Sequence, residues 1–117
     1  MRGLRVIVVE DAILLAVELQ AGLTEAGAEV VGQAGEVAEA MALVDVPMDA
    51  AVLDCNLNGL SVEPVARALV ERGVPFLFAT GYGEGQGAPE GFDAPIIRKP
   101  YDVAQITAAL AQLTGRG

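Results

Sequence analysis

The sequence has no histidine and no tryptophan, one cysteine, and a single lysine, Lys99. Without histidine, Ser-His-Asp and Cys-His catalysis are excluded, as are the common zinc sites. With only Cys55, no disulfide can form within the chain, and that thiol reads as a small buried hydrophobe at a strand end. No apolar stretch approaches the roughly 18–20 residues of a membrane span. Basic residues number 7 against 16 acidic ones, a formal charge of −9, and they are scattered. Binding to nucleic acid through its phosphates needs clustered Lys and Arg, so no nucleic-acid partner is expected. The opening Met1-Arg2-Gly3-Leu4-Arg5 leads into a short strand-like run with no cleavage site, unlike a signal peptide. The expectation is a cytoplasmic protein with no membrane partner, folded as one domain over residues 1–117.

What is present is an alternation of short continuous apolar runs with segments of helical period. Continuous Val/Ile/Leu runs suit strands buried on both faces, as in a parallel sheet. Residues 11–26 place Leu15, Leu19 and Leu23 on one helical face, and Gly27 follows as a stop. Residues 28–33 make a weaker second strand, suited to an edge. Val37, Met41 and Val44 form a second helical stripe that ends before Pro47. Asn56-Leu57-Asn58-Gly59-Leu60 is rich in turn formers. Ser61 reads as the N-cap of a third helix whose apolar face is Val62, Val65, Ala66, Leu69 and Val70. A last helix opens at Asp102, with Gln105 in capping-box spacing and a stripe of Val103, Ile106, Leu110 and Leu113.

Five strands and four helices in βα alternation predict a doubly wound, five-stranded parallel sheet of the α/β class. The expected crossover between the fourth and fifth strands is instead a stretch, 81–91, with five glycines and a proline in eleven residues. Helix is unfavourable there, so the fourth helix is predicted missing or irregular. The spaced glycines do not make a dinucleotide fingerprint, because no helix follows to receive a pyrophosphate.

Four of the apolar runs end in reactive groups. Val6–Val9 runs into Glu10-Asp11, Ala50–Leu53 into Asp54, Phe76–Ala79 into Thr80, and Pro95–Ile97 into Arg98-Lys99-Pro100. In an open α/β sheet the carboxyl ends of the strands are where ligands bind. Three carboxylates brought together need a compensating cation. Hard oxygens suit Mg²⁺, and a metal facing an ammonium forms a clamp for a transferring phosphoryl group. Without a nucleotide fingerprint, the remaining acceptor is a carboxylate of the protein.

With these five positions in order, the chain resembles the receiver domain of bacterial two-component response regulators over essentially its whole length. The resemblance implies a flavodoxin-like, chemotaxis-receiver-like strand order of 2-1-3-4-5. It implies Asp54 as phosphoacceptor and Mg²⁺ held by Asp11, Asp54 and the backbone carbonyl of Asn56, with Glu10 acting directly or through water. Thr80 and Lys99 would bind the phosphoryl oxygens, and the Lys99-Pro100 peptide would be cis. The donor would be a histidine kinase outside this chain, which has no histidine to serve as one. The chain would be no enzyme in the ordinary sense, only assisting its own phosphorylation and dephosphorylation. It would act as a monomeric single-domain regulator, through altered protein contacts or as a phosphate sink.

One position departs from the family pattern. Three residues before the lysine, where an aromatic is usual, stands Ile96. Pro75-Phe76-Leu77-Phe78-Ala79-Thr80-Gly81-Tyr82 instead resembles the "FAT GUY" subgroup, often stand-alone and partnered by kinases of the HWE or related type. Tyr82 is then the candidate switch aromatic, and Tyr101 a second exposed aromatic for docking or for covering the last helix. Two other readings compete: an interaction module of the same fold that works without phosphorylation, and a Mg²⁺-dependent aspartyl phosphohydrolase. The hydrolase would usually carry a D-x-D motif, where this chain has Asp11-Ala12-Ile13.

Overall fold

The computed structural model describes residues 2–81 and 87–115. Strands β1 (Arg5–Val9), β2 (Glu29–Ala34) and β3 (Ala50–Asp54) alternate with helices α1 (Ile13–Glu25) and α2 (Val37–Leu43). Two-residue strands β4 (Asn56–Leu57) and β5 (Leu60–Ser61) precede α3 (Glu63–Glu71). Strands β6 (Phe76–Thr80) and β7 (Ile96–Arg98) and helix α4 (Val103–Thr114) complete the chain. The five longer strands form one parallel sheet in the order β2-β1-β3-β6-β7. Apart from the small β4-β5 hairpin, this is the expected 2-1-3-4-5 order.

Each central strand feeds two cores because successive side chains point to opposite faces. Ile7, Val9, Ala51, Leu53, Phe76 and Phe78 pack under α2 and α3. Val6, Val8, Ala50, Val52 and Leu77 pack under α1 and α4 with Leu19, Leu23, Ile106 and Leu110. Helices α1 and α4 meet at Gly22, where an added Cβ would overlap a methyl group of Val103. Close approach of the two helices therefore requires glycine there. Cys55 is buried, as a small hydrophobe should be.

Several boundaries differ from the sequence expectation, each for a local reason. Helix α1 begins at Ile13 rather than at residue 11, because Glu10 Oε2 accepts the Ala12 N–H and Asp11 Oδ2 the Asn58 N–H. Of its stripe, Leu19 and Leu23 are buried with Ala16, while Leu15 is only half-buried. In α2 the buried residue is Ala40, and Met41 is exposed. In α3 the N-cap position belongs to Val62; Ser61 lies in β5, and its Oγ accepts the Glu63 N–H at 3.1 Å. Ala68 is buried in place of Val70, which is 56% exposed. The capping box of α4 forms as expected, with the Asp102 N–H donating to Gln105 Oε1 at 2.8 Å.

Strand β7 is not buried on both faces. It is a three-residue edge strand, and Ile96 is 55% exposed. Among the described residues between β6 and β7 none is helical. Phe92 covers part of the sheet there, meeting Phe76 and Phe78 edge-on with each centroid at 6.0 Å. Edge-to-face pairs of this kind are favourable beyond their buried area.

Candidate functional site

The parallel register carries the polar strand ends to one edge. Glu10 and Asp11 follow β1, Asp54 ends β3, Thr80 ends β6, and Lys99 follows β7. Asp54 is opposite Ala79, so Thr80 lies one residue past its partner. Lys99 is positioned by its backbone N–H, which donates to the Thr80 carbonyl at 2.8 Å. Its Nζ lies 2.9 Å from Glu10 Oε1 and 3.4 Å from Asp54 Oδ1. One oxygen from each of Glu10, Asp11 and Asp54 lies within 4.8 Å of the others. The acids, the ammonium and the hydroxyl-bearing Thr80 thus share the edge at which the sequence places them.

Asp11 owes its position to a hairpin where the run of turn formers predicts only a loop. Strands β4 and β5 pair antiparallel around Asn58-Gly59, with φ of 52° and 87°. Positive φ at both central residues favours Asn-Gly, and this dipeptide flanked by Leu57 and Leu60 was the available signal. Asn56 Oδ1 accepts the Gly59 N–H at 2.7 Å and ties the turn down. The Asn58 N–H, so presented, donates to Asp11 Oδ2 at 2.9 Å.

Burial sets the electrostatics. Glu10 and Asp54 are 3% and 2% exposed. Desolvation, then the hydrogen bond and charge of Glu10, push the Asp54 carboxyl up to about 8, against the opposing pull of Lys99. Burial works to lower the Lys99 ammonium, but Glu10 and Asp54 outweigh it and raise its pKa. For Asp11, desolvation pushes upward, yet the Asn58 N–H and the neighbouring carboxyl groups bring it below the usual value. Asp54 Oδ1 accepts no hydrogen bond among the described residues, with only the long ion pair to Lys99. A buried carboxylate oxygen in that state is open to a cation.

These three carboxylates could hold a metal ion. The cluster would have to draw together around Mg²⁺, whose neighbouring ligand oxygens are only about 3 Å apart. Its hard, oxygen-only donor set fits that ion.

Two aromatic expectations have different outcomes. Tyr101 is not an exposed docking residue. It packs against the core shared by α1 and α4, and burial followed by Glu10 pushes its hydroxyl up to about 12. Tyr82 lies outside the described residues.

No protein-family model matches the sequence, and no curated protein matches it. Solved structures do. SdrG from Sphingomonas melonis Fr1 is 38% identical, with 95% of this chain and 96% of that one covered and a TM-score of 0.83. A response regulator receiver protein from Sinorhizobium medicae WSM419 is 24% identical, covering 97% and 95%, at a TM-score of 0.81. The PhyR receiver domain from Erythrobacter litoralis is 20% identical, covering 97% and 91%, at 0.78. Fold and strand-end chemistry define a signalling domain of the flavodoxin-like class. The chain belongs to the response regulator receiver domains.

Proposed function

We propose that Asp54 accepts a phosphoryl group from a protein phosphohistidine, with Mg²⁺ bound by Glu10, Asp11, Asp54 and the Asn56 backbone carbonyl. The observation that carries this reading is the Lys99 ammonium set between buried Glu10 and Asp54 beside a three-carboxylate cluster. An Asp54 oxygen attacks phosphorus as the P–N bond to the donor imidazole breaks, and the bonding pair leaves with the imidazole nitrogen. Bound Mg²⁺ supplies positive charge to the phosphoryl oxygens. Lys99 and the Thr80 hydroxyl hold those oxygens, the preorganised charge that phosphoryl transfer requires.

A protein donor is supported by the surface around the site. Ile13 and Leu14, two and three residues after Asp11, are 78% and 80% exposed. Leu60, in the hairpin that anchors Asp11, is 62% exposed. Such apolar surface beside an acidic cluster suits a helical kinase segment better than a small phosphate ester. The donor is a histidine kinase of the HWE or related type, in keeping with the "FAT GUY" resemblance. The chain works as a cytoplasmic, monomeric single receiver domain, signalling by altered protein contacts or draining phosphoryl groups from a shared kinase.

Intact mass after incubation with acetyl phosphate and Mg²⁺ tests the acceptor. The wild type gains a phosphoryl adduct and Asp54→Ala does not; an equal adduct on Asp54→Ala overturns the assignment. If small donors leave the wild type unmodified, the same pair is run with a purified phosphorylated kinase. Tyr82 is proposed as the switch aromatic that replaces the missing strand aromatic, since exposed Ile96 offers no ring. Tyr82→Ala should retain phosphorylation at Asp54 while losing most of the phosphorylation-dependent partner affinity. An unchanged affinity difference would remove Tyr82 from that role.

A further inference from the structure

At the end of β6 opposite Thr80, a groove of about 920 Å³ lies between the C-terminal part of α3, residues 90–93 and Leu113 of α4. Its floor and walls are apolar: Val70, Val74, Phe76, Phe92 and Leu113. Val70 stands 56% exposed on its lip, so a ligand entering here would cover apolar surface that the fold leaves in water. The groove exists because residues 87–95 cross this face without a helix, leaving Phe92 as its main cover.

The rim carries three carboxylates and one cation, Arg67. Glu71, Glu90 and Asp93 line it, are exposed, and have no ion-pair partner among the described residues. The cation beside them, Arg67, is already engaged. It pairs with Glu63 at 3.6 Å and sits 6.0 Å above the Phe92 ring. Three carboxylates around an apolar channel favour a cationic, apolar occupant and repel an anionic one. The space is large enough for several side chains and lies open to solvent, which suits a chain segment.

We propose that this groove docks a basic, apolar-anchored peptide segment of a partner protein, with Leu- or Phe-like side chains against Val70 and Phe92 and Lys or Arg against the acidic rim. It lies at the opposite sheet edge from Asp54, so docking here does not require phosphorylation and stands or falls separately from it.

Titration of the ¹⁵N-labelled protein with a Leu/Lys amphipathic peptide tests this, beside a Leu/Glu peptide of identical apolar pattern. The Leu/Lys peptide should shift amides of residues 67–76 and 90–93 in a saturable manner. The Leu/Glu peptide should bind at least about tenfold more weakly. The double variant Glu90→Lys/Asp93→Lys, both exposed positions, should weaken the Leu/Lys peptide about fivefold or more, and Val70→Ser should weaken it while leaving the spectrum folded. Equal binding of the two peptides overturns the proposal. So does an affinity unmoved by the charge reversal, or a set of shifts centred on Ile13, Leu14 and Val17.

Discussion

At the scale of single residues, the strongest tension in the molecule is at Asp54. Its carboxyl is raised to about 8 in the fold, above the ordinary 3.8, by burial and by Glu10. The folded protein therefore binds this proton more tightly than the unfolded chain does. The group's contribution to stability is fully present below about pH 4 and is lost as pH rises towards 8 and beyond. Asp54→Asn fixes the neutral state. In EDTA, its stability should match the wild type near pH 4 and exceed it by a margin that grows to several kcal/mol by pH 8.5. Urea denaturation at a series of pH values measures the gap. A gap that stays constant across that range would mean that Asp54 is not held protonated. Lys99 moderates the same tension without removing it, because its shorter contact is to Glu10. Asp54 is thus left short of positive charge, the condition in which an added cation gains most.

At the scale of elements, the clearest economy is the replacement of a helix by one ring. Phe92 reaches the sheet from a segment with no helix among its described residues and forms a triad with Phe76 and Phe78, whose own centroids are 5.3 Å apart. Phe92→Ala should cost about 2 kcal/mol, less than a fully enclosed phenylalanine because this one is half-buried. Phe92→Leu should recover much of that loss. A urea midpoint for Phe92→Ala within error of the wild type would show that the triad holds nothing together. Nothing in the sequence marks Phe92 for this work, since it stands among glycines and acids with no period around it. The strand ends were legible for the opposite reason: a parallel strand buried on both faces is a continuous apolar run, and the first polar residue after it declares the edge. Edge strand β7 fell outside that rule. Helical period placed α2 and α3 and most of their inward residues, Val44, Val62, Val65, Ala66 and Leu69, but not Ala40 in place of Met41 or Ala68 in place of Val70, which are separated only by how closely the sheet approaches. The anchoring of Asp11 by the Asn58 N–H joins residues 47 apart through a backbone group, which side-chain identity does not reveal.

At the scale of the whole molecule, a net charge of −9 and a buried acidic cluster set the same preference for cations at different ranges. The diffuse part is screened by any salt within about 10 Å at 0.1 M. The local part is not, because Asp54 and Glu10 are almost wholly shielded from solvent and its ions. A divalent ion bound there stabilises the native state alone, by about 1.4 kcal/mol at ten times its dissociation constant. For a chain of this size that is a rise in Tm of about 5 °C. MgCl₂ should produce this rise at neutral pH, EDTA should reverse it, and NaCl of equal ionic strength should give only a small part of it. Asp54→Asn should start from a higher Tm in EDTA and gain less from MgCl₂, since one ligand charge is gone and the strain that the ion relieves has already been relieved. Calorimetry on both proteins in the three salts separates the cases. An equal response to MgCl₂ and NaCl in both would assign the effect to net charge and leave the acidic cluster without a metal.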